Sequence, residues 1–270
     1  MGALYHSGEK IVLIGSRLLL LILCGLLLSC QHNSEVQAEK KLETQKRNDA
    51  ASYNVQLGMA YLKQGDIPRA KRKLLMAMDL TPDSPDANVA MAYYLEKTGD
   101  KSKAKTYYQK ALALAPQNGS QLNNYGAFLC REGQYQEAEK YFLKAVNDVQ
   151  YIHTAGAYEN AGLCAEQIPD IPKAEAYFLK ALEHDSQRKQ SLYELVNLEM
   201  KQNKTEKALA YLQQYKEIVN SDAVLLTKAM DAAHETGRFD MEENYKQRLG
   251  KLERSTDYTG EKNEYDTING

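Results

Sequence analysis

The chain has 270 residues, of which 43% are apolar and 26% charged; 34 Lys and Arg against 36 Asp and Glu leave a net charge of −2. That near-neutral balance excludes a broad cationic face for nucleic acid. Six prolines and sixteen glycines are too few for a β-sandwich or a disordered chain.

At the amino end Lys10 and Arg17 precede the apolar run Leu18 to Leu28. Its eleven residues match the hydrophobic region of a secretion leader and fall short of the roughly 20 needed to span a bilayer. The run closes in Leu27-Leu28-Ser29-Cys30, which resembles a lipobox: Leu at −3, a small residue at −1, then the acylated cysteine. Residues 1–29 are therefore expected to be a signal peptide and Cys30 the lipidation site; an uncleaved membrane anchor is the alternative. Cys24 follows the bulky Leu23 and suits acylation less well. Gln31 after the cysteine, in place of Asp, implies release to the periplasmic face of the outer membrane by likeness to such lipoproteins.

Residues 30–50 are polar and lack apolar periodicity, so they are expected to form a flexible, lipidated tether. The polar tail at 255–270 is likewise expected to be disordered.

Between these ends a 34-residue ruler fits six units, starting at 51, 85, 119, 155, 189 and 223. Position 8 reads Gly58, Ala92, Gly126 and Gly162; position 20 reads Ala70, Ala104, Ala138, Ala174 and Ala208; position 27 reads Ala77, Ala111, Ala145 and Ala181, then Tyr215. Position 15 reads Gly65, Gly99, Gly133, Pro169, Asn203 and Gly237. Small residues at 8 and 20 allow two helices to approach closely. Gly at 15 tolerates the left-handed backbone that ends the first helix. Asp66, Asp100 and Asp170 stand ready to cap the second helix, and Pro68 and Pro172 fall in its first turn.

Ile67 with Leu74, Tyr135 with Phe142, and Ile171 with Phe178 are expected to form the core between the paired helices. Two residues are inserted between units three and four, and the sixth unit, with Glu242 and Lys246 at small or apolar positions, reads as a solvent-facing cap. This pattern resembles the tetratricopeptide repeat. The resemblance implies an all-α fold, a right-handed superhelix of about six repeats forming an α-solenoid over residues 51–254.

Asn123–Cys130 (NNYGAFLC), Ala157–Cys164 (AYENAGLC) and Ala174–Leu182 (AEAYFLKAL), together with the lipobox, resemble the type IV pilus biogenesis lipoproteins of the PilW/PilF family. That resemblance implies a pilotin: an outer-membrane lipoprotein, anchored through acyl chains, that helps the secretin of the type IV pilus assemble or stay assembled. The alternative is a repeat lipoprotein serving another envelope machine, such as outer-membrane barrel assembly or a peptidoglycan-enzyme adaptor.

Among candidate sites, Cys130 and Cys164 lie on neighbouring first helices. In an oxidising periplasm a disulfide is expected, with two buried thiols as the alternative. Val55, Met59, Leu62, Val89 and Tyr93 occupy positions expected to face a groove, where they would receive a peptide or amphipathic segment; packing under the tether is the competing reading. Asn123 and Glu159 at position 5 join that candidate groove. No phosphate-cradling loop, GxSxG elbow or HExxH motif is present, and the five histidines are scattered. The expectation is a non-enzymatic protein without metal, cofactor, nucleic acid or small-molecule substrate.

Overall fold

A computed structural model describes residues 36–168 and 170–266, with side chains to residue 254. The leader at 1–29, the acylation at Cys30 and the turn residue Pro169 lie outside the described residues. Among those described the chain is all helix and connecting turn. It divides into two compact units, Met1–Tyr94 and Leu95–Gly270.

The first unit holds α1 (36–63), α2 (Ile67–Leu80) and most of α3 (Pro85–Lys97). Gly58 lets α1 press on α2: a Cβ there would meet the Leu74 side chain at 2.6 Å. Leu74, Ala70 and Ala77 are fully enclosed. Asp66 caps α2 by accepting from the Arg69 amide at 3.0 Å. Asn88, also enclosed, donates to the carbonyls of Pro82 at 2.9 Å and Ser84 at 2.7 Å, fastening the loop that leads into α3.

Two end segments differ from the sequence expectation. Residues 36–50, read as a flexible tether, are the exposed first half of α1, and α13 runs to Asp266 where a disordered tail was expected. The tether segment is rich in Glu, Lys, Gln and Ala, good helix formers, with no Gly or Pro before Gly58. A solvated helix needs no apolar stripe, so hydrophobic periodicity carries no sign of it. Gln45 donating to Asp49 at 2.8 Å one turn on, and Arg47 donating to the Leu80 carbonyl at 3.1 Å, add local support.

The second unit continues with α4 (Lys101–Leu114), α5 (Gly119–Arg131), α6 (Tyr135–Val146), α7 (Thr154–Ala165), α8 (Ile171–His184), α9 (Lys189–Lys201), α10 (Thr205–Gln214), α11 (Lys216–Val219), α12 (Ala223–Glu235) and α13 (Phe239–Asp266). The turn residue Gly133 has φ +74, and Asn203 takes the same left-handed role at φ +58. Phe142 packs into the space left by Gly126, and Phe178 into that left by Gly162, where a Cβ would come within 2.6 Å of the ring.

Position 24 is core in each of these pairs, whereas position 17 is not: Ile171 is 38% exposed, and Ile67 and Tyr135 are half-buried. As the first residue of its helix, position 17 sits at the open edge of the turn. The two-residue insertion is absorbed by a 147–153 connection pinned at both sides. Asp148 accepts from the Gly119 amide at 2.8 Å, and Tyr151 fills the space beside that glycine.

Candidate partner-binding surface

In the first unit α1 and α3 carry the apolar candidates. Val55, Met59, Val89 and Tyr93 are half-buried, but Leu62 is only 9% exposed and belongs to the core. Its register explains this. Leu62 stands at position 12, and in the third unit that position is Cys130, whose sulfur reaches the neighbouring first helix. Position 12 therefore faces the seam between successive helices and not the groove.

A cavity of about 800 Å³ opens in this unit between α1 (Asn48, Ala51, Ser52, Val55, Gln56) and residues 81–86, the loop into α3 and its first two residues. Of the sequence candidates only Val55 lines it. Of the other walls, Asn48 lies on the helical extension before Ala51, which no apolar period announces, and Thr81 to Asp86 belong to the connection into α3 and its first residues.

In the second unit Cys130 and Cys164 form a disulfide between α5 and α7, with Cα atoms 5.8 Å apart. Asn123, half-buried, accepts a hydrogen bond from Asn160 at 3.0 Å. Glu159 departs from its expected place in an open groove. It is 9% exposed and accepts from Arg188 Nε at 3.0 Å, Arg188 Nη2 at 2.6 Å and Ser191 Oγ at 2.7 Å. A carboxylate so enclosed needs paired donors. Gly156, on the preceding turn of α7, faces the guanidinium, and the Glu159 hydrogen bonds hold Arg188 above its ordinary pKa despite burial. Glu159 clamps α7 to the start of α9; it is not an unoccupied receptor group.

A second set of contacts joins successive second helices. Glu139 of α6 accepts from Lys173 at 3.2 Å and from the Tyr177 hydroxyl, both on α8. One unit later Glu175 of α8 accepts from Lys207 and from Tyr211 at 3.0 Å, both on α10. Burial and then the Glu139 hydrogen bond push the Tyr177 hydroxyl far above its ordinary value. Burial favours a raised Glu175 carboxyl, but the hydrogen bonds from Lys207 and Tyr211, with Glu199 beside them, outweigh it and keep the pKa low.

Family models described as tetratricopeptide repeat match residues 120–187 in one case and 55–119 with 168–223 in another. Such repeats mediate protein–protein contacts. The solved structure of Pseudomonas aeruginosa PilF is 29% identical with a TM-score of 0.62, over 77% of this chain and 93% of PilF. PilW, a widely conserved type IV pilus biogenesis factor, is 26% identical with a TM-score of 0.60, over 75% of this chain and 93% of PilW. Yeast Tom70, at 15% identity and a TM-score of 0.59 over 73% of this chain and 42% of its own, shares the fold alone. No curated protein matches the sequence.

Proposed function

We propose, for a chain that belongs to the tetratricopeptide-repeat proteins, the role of a non-enzymatic pilotin in type IV pilus biogenesis. It is held at the periplasmic face of the outer membrane by acyl chains on Cys30, and it supports assembly or stability of the secretin. The observation that carries this reading is the likeness to PilF and PilW, which extends over 93% of each of those chains.

The mechanism is positional. An acylated chain meets its partner at the membrane at a high effective concentration, so modest contacts suffice. The half-buried Val55, Met59, Val89 and Tyr93 supply an apolar surface for a secretin segment, with Met and Tyr suited to adaptable, low-entropy contact.

The test is a deletion strain scored for secretin multimers and twitching motility, with pull-down of the tagged chain from detergent-solubilised membranes. Loss of multimers and recovery of the secretin support the role; intact multimers, or recovery of only a barrel-assembly complex, overturn it. Met59→Glu with Val55→Glu is expected to weaken secretin capture while the helical circular dichroism and melting curve stay near wild type. Unchanged capture by that folded variant removes the first-unit surface from the mechanism. Mass spectrometry of the mature amino terminus checks the acyl chains on Cys30.

A further inference from the structure

The second helix of the fifth repeat is broken. At position 27, where four earlier units carry the fully enclosed Ala77, Ala111, Ala145 and Ala181, this unit has Tyr215. A ring does not fit a site shaped for a methyl group. The chain leaves the helix at Tyr215 (φ −102, ψ 37), so α10 ends after ten residues and the short α11 follows. Opposite the break lies α13. Between them is a cleft of about 360 Å³, within the volume range of small-ligand pockets.

The walls of this cleft carry an unusual set of charges. Lys216 and Arg248 both line it, as does Asp240, with Met241 and the buried Tyr245 as its apolar part. Among the described residues neither cation has a carboxylate partner. This contrasts with Lys173, Lys189, Lys207 and Arg188, which sit at junctions between repeats in the same unit and all meet carboxylates. Arg248 is nevertheless held in place. It donates to Asn220 Oδ1 at 2.6 Å, and its guanidinium lies 5.9 Å from the centre of the Tyr245 ring. An oriented guanidinium with donors to spare, beside an ammonium, matches the planar acceptor pair of a carboxylate.

We infer that the cleft between α11 and α13 is a binding site for the side-chain carboxylate of an acidic peptide segment. Lys216 and Arg248 take the carboxylate, Met241 and Tyr245 pack against its methylene stem, and Asp240 accepts an N–H from the adjoining peptide backbone. The apolar wall favours a peptide over a free inorganic anion, which would gain nothing from Met241; Asp240 opposes any anion, and only a peptide offsets that by donating a backbone N–H to it. This site is separate from the first-unit surface and does not depend on the secretin reading.

The experiment is methyl NMR of the full chain with labelled methionine, read at Met241. The probes are acetyl-Ala-Glu-Leu-amide, its Gln counterpart, and inorganic phosphate. The glutamate peptide is expected to shift the Met241 methyl saturably, about tenfold or more tightly than either the glutamine peptide or phosphate. Lys216→Gln and Arg248→Gln are each expected to weaken it, while Met59 and Met200 keep their wild-type shifts and so report an intact fold. Absence of a saturable Met241 shift with the glutamate peptide overturns the proposal. So does equal binding of the glutamine peptide, phosphate binding as tightly as the peptide, or undiminished binding in either variant.

Discussion

Opening the Cys130–Cys164 bridge is expected to destabilise the second unit by an amount set by chain statistics. The two cysteines are 34 residues apart, and the bridge ties α5 to α7 across the whole of α6. Closing a loop of that size removes about 13 cal/mol/K from the unfolded chain, or roughly 4 kcal/mol at 25 °C. For a chain of this length that corresponds to a melting shift of roughly 10 °C. Reducing the wild-type chain isolates the cross-link without changing a side chain. The double variant Cys130→Ala, Cys164→Ala controls for effects of the reductant elsewhere. Urea unfolding and thermal melts followed by circular dichroism, each with and without a phosphine reductant, give the two numbers. A reduced wild type within about 1 kcal/mol of the oxidised one, or a reductant effect that survives in the double variant, refutes the loop-closure reasoning.

Other expectations follow from close contacts and charges. Gly162→Ala forces a methyl to 2.6 Å from the Phe178 ring and is expected to cost about 1–3 kcal/mol. Gly156→Ala meets nothing nearer than the Arg188 tip at 3.6 Å and should be neutral or gain about 0.5–1 kcal/mol from helix propensity; thermal melts of the pair compare the two directly. Glu159→Gln keeps an acceptor for Ser191 but leaves Arg188 without its counter-charge, with an expected loss of about 2 kcal/mol by urea unfolding. Asp222 is pulled upward by burial. The amide donors of Leu225 and Val224, and the ammonium of Lys189, more than offset this and hold its pKa below the ordinary value. A depressed folded-state pKa adds stability above the unfolded-state value and loses it as pH falls through the folded one. The advantage of wild type over Asp222→Asn should therefore be full near neutrality and vanish toward strongly acid pH; an advantage unchanged down the acid limb rejects that role.

Much of the helix pairing was legible because a repeat states its constraints several times. A small residue at position 8 opposite a large one at 24 reads as close approach, and Gly126 against Phe142 and Gly162 against Phe178 are that approach. Polar helix was illegible by the same method, since residues 36–50 bury nothing and so show no period. The groove residues were harder still. Leu62 and Glu159 were placed by angle around one helix, but their surroundings depend on what the next helix offers: a seam in the first case, Arg188 and Ser191 in the second. Tyr215 was visible as a departure from Ala, yet a single bulky residue does not say whether a helix bends, shifts or breaks. Here the backbone breaks, and a cleft results.

The Glu139 and Glu175 contacts bear on how the second unit comes apart. Each carboxylate grips a lysine and a tyrosine from the following repeat, so opening α8 exposes acceptors on one side and donors on the other. In a one-dimensional stack, strong adhesion between neighbours suppresses partially melted states. The stretch from α6 through α10 should thus exchange its slowest amides at a common rate, while α12 and α13, which lie beyond this chain of grips, fray first.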